Sequence, residues 1–148
     1  MEKLHFTVQI DAPAHTVWTT MFDDATYRQW TSAFNEGGSY YEGSWDLGSE
    51  IRFFGPDEDG ELGGMITKVV ENRPDELMTL EYLAEIVKGV EYRGDQARFV
   101  GGRESYSFSE SDGVTTLAVA LDSEEEFTDM FTEMWPRALA RLKALAEA

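Results

Sequence analysis

The side chains best equipped to do chemistry in this chain are carboxylates and phenols. It contains no cysteine and two histidines, which excludes thiolate nucleophiles, thiolate-bound metals and disulfides. His5 and His15 are the candidates for a general base near neutral pH. His5 alternates out of phase with Leu4 and Phe6, which turns it away from the apolar face of its strand. His15 falls in the first turn of a helix. Both are expected on the surface. Glu71, Glu81 and Glu104 lie within strand patterns. A glutamate facing a dry cavity would have its pKa raised and could act as an acid or a base. Glu104 shares the alternation of Tyr106 and Phe108, which makes it the candidate catalytic residue. The plainer reading pairs Glu104 with an arginine such as Arg52 or Arg103, or leaves it at the wet end of a sheet.

Other chemistry is thinly supplied. The sequence has no His-x-x-x-His pair, no Ser-His-Asp motif and no spaced calcium loop. Asp57-Glu58-Asp59-Gly60-Glu61 has the acidity of a cation loop but lacks the ligand spacing and terminal glutamate of an EF-hand, so it reads as an acidic turn. The glycine pairs at 37–38, 63–64 and 101–102 lack both the Lys-Ser/Thr of a phosphate loop and the spacing of a dinucleotide fingerprint. They mark turns or bends. No cofactor and no metal are expected. Aromatic surface, by contrast, is plentiful, with four Trp, six Tyr and nine Phe. Trp30, Phe34, Phe53, Met65, Tyr82, Tyr106, Phe108, Phe131 and Trp135 fall where they could converge on one interior. Packed solid, they are a core. Held apart, they line a pocket for an apolar or aromatic molecule.

The bulk properties narrow the partners. A chain of 148 residues fits one domain spanning residues 1–148. Its net charge is −17, with 12 basic residues scattered along the sequence. Nucleic acid and anionic membrane surfaces both need clustered Lys and Arg, so neither is an expected partner. The acidity suits a solvated, self-repelling surface. No apolar run approaches the ~20 residues of a membrane span, and the N-terminus lacks the apolar core of a signal peptide. A cytoplasmic location is the simplest expectation.

The elements that would position these residues follow from periodicity. Leu4, Phe6, Val8 and Ile10 alternate as a strand with one buried face. Ala12-Pro13 opens a helix carrying Val17, Trp18, Met21 and Phe22. Asp23 or Asp24 caps a second short helix with Tyr27 and Trp30. Strand patterns then run over 39–42, 51–54, 64–72 and 77–84, with a weak strand and a loop between 85 and 100. Two more follow, one through Glu104, Tyr106 and Phe108 and one through Leu117, Val119 and Leu121, joined by the hairpin turn Ser111-Asp112-Gly113. From Glu124 the period changes to three and four, with Phe127, Met130, Phe131, Met134, Ala138, Leu142 and Leu145 on one helical face. Asp122 or Ser123 is the expected cap. Pro136 predicts a kink or a split at Trp135-Pro136. The first half of the helix should border a pocket mouth and the second half anchor the core. The sum is an α+β chain: a curved antiparallel sheet of about 6–7 strands, two short helices after the first strand, and a long C-terminal helix across the sheet.

This order resembles the START-like, or SRPBCC (Bet v 1-like), superfamily of helix-grip proteins. Within it, the chain is most similar to single-domain bacterial homologues of the C-terminal domain of the activator of heat-shock protein 90 ATPase. The likeness rests on Ala12-Pro13 with Val17-Trp18, on Tyr27 and Trp30, and on Gly43, Trp45, Gly48-Ser49, Ile51 and Phe53. It continues through Gly63-Gly64-Met65, Val69, Glu71 and Pro74, then Glu104, Tyr106, Phe108 and Thr116-Leu117, and ends with Trp135-Pro136, Leu139, Leu142-Lys143 and Glu147. The resemblance implies a helix-grip fold that holds a small apolar molecule between sheet and helix without a cofactor. It also implies two alternatives: a cyclase- or hydrolase-like enzyme acting on an aromatic or polyketide-like substrate through Glu104 or a cavity tyrosine, and a chaperone-associated interaction module. The eukaryotic chaperone activators carry a separate N-terminal domain for which 148 residues leave no room, so chaperone activation itself is not expected. A homodimer is compatible with the sequence and is not dictated by it.

Overall fold

Leu4, Phe6 and Val8 are half-buried on one side of β1 (Glu2–Ile10), and the intervening His5, Thr7 and Gln9 are exposed on the other. The computed structural model describes residues 2–35, 39–56, 60–94 and 100–148. Gly37-Gly38 and the acidic run Asp57-Glu58-Asp59 lie outside the described residues. After β1 come α1 (Ala14–Phe22) and α2 (Asp24–Trp30), followed by a single 3-10 turn over Thr31–Ala33. Pro13 is the residue before α1, where a fixed φ and a missing amide cost nothing. Asp23 precedes α2 but makes no side-chain cap.

The strands that follow are β2 (Tyr40–Gly43), β3 (Glu50–Pro56), β4 (Leu62–Arg73), β5 (Leu77–Val87), β6 (Val90–Arg93), β7 (Arg103–Ser111) and β8 (Val114–Ser123). Among the described residues, eight strands form one antiparallel sheet in the order β1-β8-β7-β5-β4-β3-β2, and β6 pairs only with β5. The count exceeds the expected six or seven because the weak pattern after Glu85 does form a strand, the short β6. The β7–β8 turn has Asp112 and Gly113 at positive φ, 54° and 81°, as a two-residue hairpin turn requires.

Curvature has local causes. Gly64 sits at φ +152°, and a Cβ there would run into the Phe53 carbonyl oxygen, so only glycine lets β3 and β4 approach this closely. Two breaks in the β4–β5 register, between Ile66 and Thr67 and between Val69 and Glu71, bend the sheet further.

The concave face is closed by α3 (Glu125–Glu147). It runs as one helix through Pro136, so the expected split at Trp135-Pro136 does not occur. Glu124 rather than Asp122 or Ser123 stands at its N-cap, because β8 continues through both of those residues. Glu125 and Glu126 place negative charge in its first turn, where the helix dipole favours it. Its second half carries Ala138, Leu139, Leu142 and Ala146, all buried against Ile10, Val17, Leu117 and Val119 in the main core.

Candidate functional site

Side chains on the concave face line up in cross-strand rows. One row runs Tyr41, Phe53, Met65 and Glu85 from β2 to β5. The next runs Val69, Leu80, Glu104, Leu121 and Leu4 across β4, β5, β7, β8 and β1. A third holds Asn72, Met78, Tyr106, Val119 and Phe6. Glu104 is thus a carboxylate in an apolar row, with Leu80 and Leu121 as its direct neighbours.

Phe53, Met65 and Glu85 of the first row and Glu104 of the second border a gap between the sheet and α3. A cavity of about 460 Å³ remains between β3, β4 and β5, helix α2 and the first half of α3. Met21, Tyr27, Trp30, Tyr106 and Trp135, which belong to the core cluster, line its inner end. Met130, 43% exposed, and Pro56 mark the side open to solvent. The aromatic walls are in mutual contact. Trp135 lies 6.0 Å from Trp30, 5.2 Å from Phe34 and 6.4 Å from Tyr106, centroid to centroid. Tyr27 lies 5.4 Å from Trp30 and 6.0 Å from Phe53. The Trp30 indole N–H donates to the Met21 carbonyl at 3.0 Å, which fixes that ring edge to the backbone.

The polar centre of the cavity is Glu104. Tyr82 Oη donates to its Oε1 at 3.1 Å, and Tyr106 Oη donates to its Oε2. Neither arginine named above reaches it: Arg52 pairs with Glu91 at 3.1 Å and Arg103 with Glu81 at 3.9 Å. The salt-bridged reading of Glu104 is therefore corrected. Both arginines project from rows that alternate out of phase with the concave one. Burial pushes the Glu104 carboxyl above the ordinary glutamate range, against the two phenol hydrogen bonds, which favour its ionised form. Burial and the neighbouring Glu104 charge push the Tyr82 and Tyr106 phenols well up, so both stay protonated donors. Tyr27 is raised by the same two causes, burial first. Asp122, on the cavity wall, is tied to Lys3 at 3.1 Å and to the Arg103 amide at 2.9 Å.

No family model and no curated protein matches this sequence. Solved structures do. A protein from Nitrosomonas europaea superposes with a TM-score of 0.74 at 16% identity, over 97% of this chain and 92% of its own. Aha1 from Colwellia psychrerythraea, a dimer in solution, gives 0.70 at 17% identity, over 99% of this chain and 97% of its own. This chain has the Aha1-like helix-grip fold. DynU16, from the dynemicin biosynthetic locus, shares it too, with a TM-score of 0.70 at 16% identity over 100% of this chain and 48% of its own length. At such identities the helix-grip likeness speaks to architecture, and the chemistry must be argued from the cavity.

Within the helix-grip cavity, Trp30, Phe34, Phe53, Met65, Tyr82, Tyr106, Phe131 and Trp135 from the sequence reading all lie on the wall, as does Glu104. Phe108 does not. It shares a face with Glu104 and Tyr106, but α1 covers that end of β7, and its ring packs 5.2 Å from Trp18 and 6.1 Å from Phe22. His5 and His15 are exposed, and His15 meets Asp75 at 3.1 Å. The lining also includes Tyr27, Trp45, Glu85 and Phe127, none of them in the sequence-derived group. Tyr27 had a signal, three residues before Trp30 on one helix face. Glu85 had none: the irregularity at Leu83 breaks the strict alternation and brings both Tyr82 and Glu85 to the cavity.

Proposed function

We propose that this protein binds a small hydrophobic molecule between its sheet and α3. The observation that carries the reading is the open, aromatic-walled cavity beneath the first half of α3. Its volume of about 460 Å³ lies within the range of small-molecule sites, and its wall is mostly apolar with a few convergent polar groups. Aromatic rings at such a wall give a ligand large contact area at little entropic cost, because each ring is already held by its neighbours. Purified protein is expected to bind an apolar fluorescent probe at one site per chain, with Phe131→Ala or Trp135→Ala changing its affinity. A titration without saturable binding would overturn the reading.

A second reading, a cyclase- or hydrolase-like enzyme, draws on one observation: a buried carboxyl, its pKa raised, sits between two protonated phenols. Such a group can relay a proton to or from a bound aromatic or polyketide-like substrate. DynU16, a protein of a biosynthetic locus, shares the fold and adds weight to this reading. Turnover of aromatic polyketide-like substrates that vanishes in Glu104→Gln would support it, and equal turnover by the variant would remove it. The protein is also proposed to pair as a homodimer, as the Colwellia neighbour does. Light scattering at micromolar concentration would give twice the 16.7 kDa chain mass if so.

A further inference from the structure

We propose that the ligand is a hydrophobic amine, held with its ammonium against Glu104 and its apolar body among the aromatic rings of the cavity. This rests on the reading that the cavity binds a small molecule at all. A purely apolar ligand has no use for a carboxylate between Leu80 and Leu121. Removing such a group from water costs free energy unless a counter-charge or hydrogen bonds compensate. The two phenols compensate in part. One phenol O–H on each carboxyl oxygen is an arrangement that suits an ionised acceptor and leaves lone pairs on both oxygens. A cation would complete it. Among the described residues lining the cavity there is no Lys, Arg or His to supply one.

The walls point the same way. Trp30, Trp135 and Tyr106 form a connected group within 6.4 Å of one another through Trp135, and Tyr106 carries Glu104 on its hydroxyl. Ring faces attract ammonium groups, most strongly when water is excluded. Selection against the opposite charge is built in. A ligand carboxylate would meet Glu104 in the cavity and a protein whose net charge is −17 outside it.

The test uses three ligands with one naphthalene body: 1-naphthylmethylamine, 1-naphthylmethanol and 1-naphthoic acid, titrated into the whole protein by calorimetry at pH 7.5 in 50 mM and 500 mM NaCl. The amine is expected to bind about tenfold more tightly than the alcohol, the equivalent of a single well-placed cation contact. The acid should bind more weakly than both. The preference should survive high salt, which screens surface charge far more than a buried pair. Glu104→Gln should abolish the roughly tenfold preference for the amine, weakening amine binding far more than alcohol binding. Equal binding of amine and alcohol by the wild-type protein would overturn the inference while leaving the hydrophobic-site reading intact. So would an amine preference that disappears at 500 mM NaCl or persists in Glu104→Gln. Absence of binding by all three, with the apolar probe also failing, would overturn both.

Discussion

Glu104 and Phe108 stand four residues apart on the same face of the same strand, yet their surroundings differ completely. Phe108 is buried among Trp18 and Phe22 beneath α1, in a solid core. Glu104 faces a cavity bordered by the first half of α3, which α1 reaches only with its last residues, Met21 and Phe22. The two halves of α3 repeat the contrast. Ala138, Leu139 and Leu142 are buried in the core, whereas Phe127, Phe131 and Trp135 border the cavity. One end of the sheet is thus spent on stability, and the other is kept free for a ligand. A region that forgoes packing contacts on one side has less to lose by substitution.

That contrast can be broken or sharpened by substitution. The largest effect should come from Leu142→Ala, at a fully buried position in the closed end: a loss of about 2–5 kcal/mol, read from the urea midpoint, with probe affinity unchanged in whatever fraction stays folded. Next is Gly64→Val at the open end. It forces a side chain into the Phe53 carbonyl at positive φ and should cost about 1–3 kcal/mol while deforming the cavity rim.

Glu104→Gln should act in the opposite direction and raise the melting temperature by about 2–4 °C at pH 7. Its pH dependence has a definite sign. A carboxyl whose folded pKa is raised binds its proton more tightly in the folded state. Its favourable share is complete below the ordinary glutamate value of 4.5 and is lost as pH rises through the raised value. The gap between variant and wild type should therefore shrink as pH falls from 7 toward 4.5 in parallel melting curves. Phe131→Ala, at a half-buried position on the cavity wall, should cost no more than about 1 kcal/mol, yet change the affinity for an apolar probe severalfold. The smallest effect belongs to the surface: Arg28→Ala removes an exposed pair with Asp24 and should shift stability by less than about 0.5 kcal/mol.

Elements that rest on periodicity were readable from sequence. Period two announced β1, β4, β7 and β8, and steps of three and four announced α3. The same patterns identify the face on which Trp30, Tyr106 and Trp135 lie. They do not reveal what lies opposite that face, which is why Phe108 reads like Glu104 until α1 is seen to cover it. Glu85 escaped because an irregular strand breaks strict alternation. Glu104's partners escaped for a further reason. Pairing it with Arg52 or Arg103 follows from the charge of those residues, whereas its actual partner Tyr82 reaches it across the β5–β7 pairing, which only the strand order decides. The split at Pro136 does not occur because a helix held along its length by a packed face can tolerate one missing amide bond.

The pairing of β1 with β8, Glu2 opposite Ser123 at one end and Ile10 opposite Thr115 at the other, has a temporal side. These contacts join residues more than a hundred positions apart, and α3 adds the Lys143 Nζ bond to the Gln9 carbonyl at 2.9 Å. Contacts of such long range are slow to form. During synthesis β1 must wait, unpaired and half apolar, until nearly all the other elements have left the ribosome. The cavity, whose roof is α3, exists only after that wait ends. A small molecule that fits it can therefore stabilise the finished domain by mass action but cannot guide its early assembly.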